Sequence, residues 1–234
     1  MELDIEELLL KHRKVDGDFE INDHNFENEV FSNFDIRPKL PLQGKVILRN
    51  LTFKECSIQN SGFLIGAGVS LENVLFQDLN SQTEIMISTN AHLQNVIFKG
   101  KYKGDVSIKP SEDGLFDQSL YDEIIKNREK SIDRILDISN LEAKSIEIYG
   151  IPLNKVKINT QLHVRVKVEW EHLPIWEELD EDGFFVDAIC DLKFIEVNEA
   201  IINFPSKKSA EYKLAIQEYS FLKKNGLIEE YENE

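Results

Sequence analysis

The segment between Val168 and Lys193 is where this sequence could do chemistry. It contains Glu169, Glu171, Glu177, Glu178, Asp180, Glu181, Asp182, Asp187 and Asp191, with no Lys or Arg. The only two tryptophans, Trp170 and Trp176, lie in the same stretch. Carboxylates at this density attract cations, and an aromatic residue beside a charged rim is a common anchor of protein–protein contacts. Trp170, Glu171, Trp176, Glu177, Glu178, Asp180, Glu181 and Asp182 are therefore the candidate partner-binding residues. The competing reading is a solvated loop with two core tryptophans.

Glu178, Asp180 and Asp182 before Gly183 look like the first half of an EF-hand calcium loop. The twelfth position, Ile189, stands where that loop needs Glu, so the EF-hand is rejected. The five histidines, His12, His24, His92, His163 and His172, have no metal-ligand spacing with each other or with cysteine. No Walker A, G-x-S-x-G, H-E-x-x-H or dinucleotide-binding glycine motif occurs. No metal, no cofactor and no catalytic residue are expected. Cys56 and Cys190 are too few for a disulfide framework and are expected to be buried thiols in a cytoplasmic protein.

The scaffold that must hold the acidic segment is a repeat. A large apolar residue, any residue, Asn, two more residues and Phe recur four times. The copies are Phe26-x-Asn28-x-x-Phe31, Leu48-x-Asn50-x-x-Phe53, Leu71-x-Asn73-x-x-Phe76 and Leu93-x-Asn95-x-x-Phe98, starting 22, 23 and 22 residues apart. Each unit also carries an alternating apolar pair: Leu40/Leu42, Phe63/Ile65, Ile85/Ile87 and Val106/Ile108. Val46, Val69 and Ala91 mark a third recurring position. A period near 22 residues means small units that bury their apolar faces on their neighbours. The Asn residues are expected at one corner of successive units, where Asn tolerates left-handed backbone and its amide can form a ladder. The Phe residues are expected to stack inside.

These residues resemble right-handed parallel β-helix proteins and, more loosely, pentapeptide-repeat proteins, over about residues 18–110. Fragments such as DFEIN-DHNFE-NEVFS-NFDIR carry the five-residue cadence of the latter. The resemblance implies a triangular or quadrilateral stack of coils. Sugar-cleaving members use carboxylates aligned on one outer face; Asp23, Glu72 and Asp78 are the candidates here.

The remaining elements follow from local pattern. Residues 1–17 read as an N-terminal capping helix, with Ile5, Leu8 and Leu9 on one side and His12 at its end. Residues 18–154 read as the β-helix, of about four to five coils, interrupted by a helix near 117–136. Within that insertion Leu115-x-Asp117-x-x-Leu120 half fits the repeat, Ser119 and Asp122 form a capping box, and the pattern returns at Ile138-x-Asn140. Residues 155–234 read as an antiparallel β-hairpin and a helix. Its first strand, ending at Glu171, places Leu162, Val164, Val166, Val168 and Trp170 on a buried face and His163, Arg165, Lys167 and Glu169 on a solvated one. Its second strand is expected at 184–197, and Ser206 is expected to cap a helix that runs to Lys224 before Gly226. The fold class is mainly β.

A formal net charge of −16 opposes direct nucleic-acid binding and favours a basic protein partner. No apolar run reaches the roughly 20 residues that span a bilayer, so no membrane role is expected. Immunity proteins against secreted toxins share this profile: small, acidic, cytoplasmic and without catalytic motifs. The expectation is a non-enzymatic binding protein that masks a basic partner such as a toxin. Alternatives are a carbohydrate-active β-helix enzyme and a structural or self-associating module, a homo-oligomer being open. Some pentapeptide-repeat proteins are acidic rods that mimic DNA. Here the acid is concentrated after residue 168, outside the repeat, which argues against that mode.

Overall fold

A computed structural model describes residues 2–15, 17–37, 44–59, 62–81, 83–110 and 132–228. The protein is mainly β, with two sheets of parallel strands. One sheet has the order β14-β12-β10-β7-β4-β2, where β2 is Phe19–Glu27, β4 Val46–Lys54, β7 Val69–Gln77, β10 Val96–Lys101, β12 Leu136–Glu142 and β14 Val156–Lys157. The short β9, His92–Gln94, joins it beside β7. The other begins with β1 (Glu2–Asp4) and β3 (Val30–Ile36) and continues through β6 (Phe63–Ile65), β8 (Ile85–Ser88), β11 (Asp105–Lys109) and β13 (Ser145–Tyr149). β5, Ser57–Ile58, pairs with β3. From β2 to β14 the chain passes back and forth between the two sheets, and the parallel pairs such as β4 and β7 join strands one such circuit apart. Apolar side chains from both sheets meet in one core.

The repeat spacing has a simple cause. In β4 the buried residues are Val46 and Leu48, then Leu51 and Phe53. Strict alternation would bury 50 and 52 instead. Asn50 lies between the pairs with φ of +53°, and this left-handed residue slips the alternation by one position. Asn73 (φ +55°) and Asn95 (φ +52°) do the same in the next two circuits. Their side chains form the expected ladder: Asn73 Nδ2 donates to Asn50 Oδ1 and Asn95 Nδ2 to Asn73 Oδ1, each at 3.1 Å. Phe26, Phe53, Phe76 and Phe98 stack with centroids 4.9, 5.1 and 4.6 Å apart. Such pairs add about 0.5–1.5 kcal/mol each beyond the area they bury.

The first repeat copy is out of register. β2 pairs with β4 so that Ile21 lies opposite Leu48 and Phe26 opposite Phe53. Asp23, at φ +54°, therefore occupies the ladder corner and accepts from Asn50 Nδ2 at 2.9 Å. The steps between ladder residues 23, 50, 73 and 95 are 27, 23 and 22, because the first circuit is longer ahead of Val46. Asn28 belongs to a second corner, shared with Glu55, Asp78 and Gly100, all at positive φ. Phe34 and Ile36 supply the first apolar pair, opposite Phe63 and Ile65. Leu40/Leu42, the half-fitting copy at 115–120, the capping box and most of the helix expected at 117–136 lie outside the described residues. Ile132 and Ile135 are in the core, and β12 already starts at Leu136.

The N-terminal helix, α1 (Ile5–Lys11), buries Ile5 and Leu9 in this same core. Asp4 caps it, accepting from Glu6 N at 2.8 Å and Glu7 N at 3.1 Å. His12 ends it, as expected.

The C-terminal part differs from the expected hairpin. Residues 155–171 are not one strand: after β14 the chain turns, and β15 covers only His163–Lys167. Residues 184–197 are not a strand either. Phe184–Phe194 is a helix, α2, which buries Phe185, Ile189 and Leu192 at helical spacing. The antiparallel partner of β15 is β16 (Glu199–Asn203), which also pairs with β13 and so extends the second sheet. The last helix, α3, spans Glu211–Lys224. Ser206 does not cap it; its hydroxyl accepts from Lys208 N in a preceding turn, at 3.4 Å. Gly226, at φ +77°, closes its C-terminus, as expected. α2, α3, β15 and β16 enclose a second apolar cluster that includes Trp170, Phe185 and Ala200.

Candidate functional site

Two short 3-10 turns, Val168–His172 and Pro174–Glu178, carry the start of the acidic segment. They separate the candidate residues into two sets. Glu177, Glu178, Asp180, Glu181 and Asp182 are exposed. Trp170 is only 4% exposed and packs 6.3 Å from the Phe185 ring, so it faces the core and no partner. Trp176 is half-buried against the same cluster. Glu171 is half-buried and accepts from Lys193 Nζ at 2.9 Å. Trp170 is thus structural, because Val164 and Val166 of β15 and Phe185 of α2 offer it an apolar bed.

The acidic surface continues along α2. Asp187, Cys190, Asp191 and Phe194 are all exposed, and their spacing of three, four and seven residues places them on one face. Cys190 is therefore an exposed thiol rather than a buried one, whereas Cys56 is buried, and burial raises its thiol pKa.

The start of α2 is held from another element. Gly183 is its N-cap and has no side chain to offer. α3 supplies one instead: Glu218, 5% exposed, accepts from Phe185 N at 3.2 Å through Oε2. A Cβ on residue 183 would fall on Glu218 Oε1, which is why glycine stands there. Oε1 has no hydrogen-bond partner among the described residues. Burial pushes the Glu218 pKa up, aided by Asp180 and Asp187 and opposed by the N–H groups of Phe185 and Phe184. Asp180 orders the preceding turn, accepting from Asp182 N at 3.1 Å.

The carboxylates considered for sugar cleavage have structural partners. Asp23 lies in the ladder. Glu72 accepts from Arg49 Nε at 2.7 Å. Burial would raise the Glu72 pKa, but hydrogen bonds from Arg49 and Ser70 and the Arg49 charge outweigh it and lower it. Asp78 accepts from Lys101 N at 3.1 Å across the second corner. Among the described residues, no group of three or more His, Cys, Asp or Glu could hold a metal ion.

His163, expected on a solvated face, is 2% exposed. Its Nδ1 accepts from Asn159 N at 3.3 Å, and burial lowers its pKa to about 4. It lines a shallow open cleft with Arg165, Lys167, Trp170 and Tyr219. Arg165 is ion-paired with Glu199 there.

No helix of the described residues is long and apolar enough to cross a membrane. Comparison with protein-family models, curated proteins and solved structures gives no match for this chain.

Proposed function

We propose that the chain is a short right-handed parallel β-helix whose C-terminal layer presents an acidic docking surface, and that it binds and masks a basic protein without catalysis. The paired circuits support the β-helix reading, and the right-handed rule for parallel crossovers supplies its hand. One observation carries the function: nine carboxylates and no Lys or Arg between Val168 and Lys193, with five of the nine exposed at 177–182 and two more on the outer face of α2. Among the described residues, Glu171 pairs with Lys193 and Glu169 with Lys167 at 3.5 Å. An exposed field of one sign steers an oppositely charged partner and disfavours wrong ones. An immunity protein acting on a basic toxin in the cytoplasm is the proposed biological setting.

The test is reversal of four exposed carboxylates, Glu177→Lys, Glu178→Lys, Glu181→Lys and Asp182→Lys together. A basic partner recovered by cross-linking from the source cells, then purified, should lose affinity by at least roughly tenfold, and wild-type binding should weaken steeply with salt. Unchanged affinity would sink the proposal.

A further inference from the structure

The geometry points to Phe194 as the apolar anchor of this docking surface, with the outer face of α2 seating against an apolar groove rimmed by Lys and Arg on the basic partner. This rests on the acidic-docking reading above. Phe194 is 89% exposed and is the only exposed aromatic among the large apolar residues described. Its neighbour Ile195 is 36% exposed, so the tip of α2 presents a pair.

Charge complementarity selects the occupant. Asp187 and Asp191 share the face of α2 with Phe194, and Glu196 follows it. The one adjacent cation, Lys193, is already paired with Glu171. An apolar tip ringed by carboxylates repels a second acidic surface, including a second copy of this chain at −16, and complements a basic one.

The backbone adds a separate observation. Among the described residues, every other non-glycine residue at positive φ lies within or between β strands, but Glu196, at φ +58°, follows α2. Its N–H donates to Lys193 O at 3.2 Å and Val197 N donates to Leu192 O at 3.0 Å. α3 places glycine at the equivalent site, Gly226. α2 instead keeps a strained carboxylate beside its exposed aromatic.

Cys190 lies on the same face and reports occupancy directly. The probes are a helical peptide of Lys and Leu residues and an oligolysine of equal charge. The Lys/Leu peptide should slow Cys190 alkylation by iodoacetamide at least roughly tenfold more than the oligolysine does. Phe194→Ala, expected to melt like wild type, should erase that difference. Equal protection by the two probes, no protection by either, or protection unchanged in Phe194→Ala would each overturn the inference. So would a dimer in sedimentation that Phe194→Ala dissolves, which would assign the patch to a second copy. Loss of oligolysine binding in the four-carboxylate reversal, with protection unaffected by Phe194→Ala, would leave the acidic reading standing and remove the anchor alone.

Discussion

The single Asn at each ladder corner does two jobs that a substitution can separate. Asn73 holds a left-handed backbone and bonds to both neighbouring circuits. Asn73→Gly keeps the conformation and loses the ladder; Asn73→Ala loses both. Left-handed backbone costs a residue with a Cβ about 1–2 kcal/mol, which Asn offsets by local hydrogen bonding and Ala does not, and each lost hydrogen bond costs about 1 kcal/mol. Urea unfolding should therefore rank wild type, Gly and Ala in descending stability, with Ala lower by roughly 2–4 kcal/mol. His163 gives a pH dependence of known sign. Its folded pKa, about 4, lies below the ordinary value of 6.5. The stability from keeping it neutral is present above pH 6.5 and is lost as pH falls toward about 4, up to about 3 kcal/mol. His163→Asn should be less stable at neutral pH and lose less on acidification, as unfolding midpoints measured between pH 7 and 4 would show.

At the scale of elements, α2 is set by its neighbours as much as by its own sequence. Its aromatic and β-branched residues read as a strand partnering β15, but the antiparallel partner of β15 is β16. α2 then buries Phe185, Ile189 and Leu192 against the outer face of that pair. Its N-terminus is completed by Glu218 from α3, whose folded pKa is raised. The stability linked to that raised value is complete below the ordinary carboxylate pKa and falls as pH rises through the folded one. Glu218→Gln should remove this pH dependence from thermal melting, whereas Gly183→Ala should lower the melting temperature at every pH because its Cβ meets the Glu218 carboxylate. Equal melting of Gly183→Ala and wild type would refute the cap geometry.

Across the whole molecule, charge opposes compactness. A formal −16 on 234 residues produces self-repulsion that salt screens. The melting temperature should rise by several degrees between about 0.01 and 1 M NaCl, although surface pairs such as Lys54–Glu27 weaken over that range. A fall would show that ion pairs outweigh the net repulsion. The two apolar clusters meet along β16, where Ile201 enters the first and Ala200 the second.

What depends on near neighbours along the chain is legible before any fold is known. Leu48, Asn50 and Phe53 announce a left-handed corner because only a slip of the alternation buries both Leu48 and Phe53, five positions apart, with Asn50 exposed between them. The stacking of identical residues one circuit apart then follows from the period. α1 and Gly226 were equally local. Tertiary structure decided the rest. The first circuit is longer, so a fixed period lands on Asn28 when pairing with β4 selects Asp23. Residues 184–194 carry patterns for both strand and helix, and the helix buries Phe185, Ile189 and Leu192 together in the second apolar cluster. Trp170 sank and Phe194 surfaced for the same reason: burial is assigned by the bed an element finds, and no residue carries that information alone.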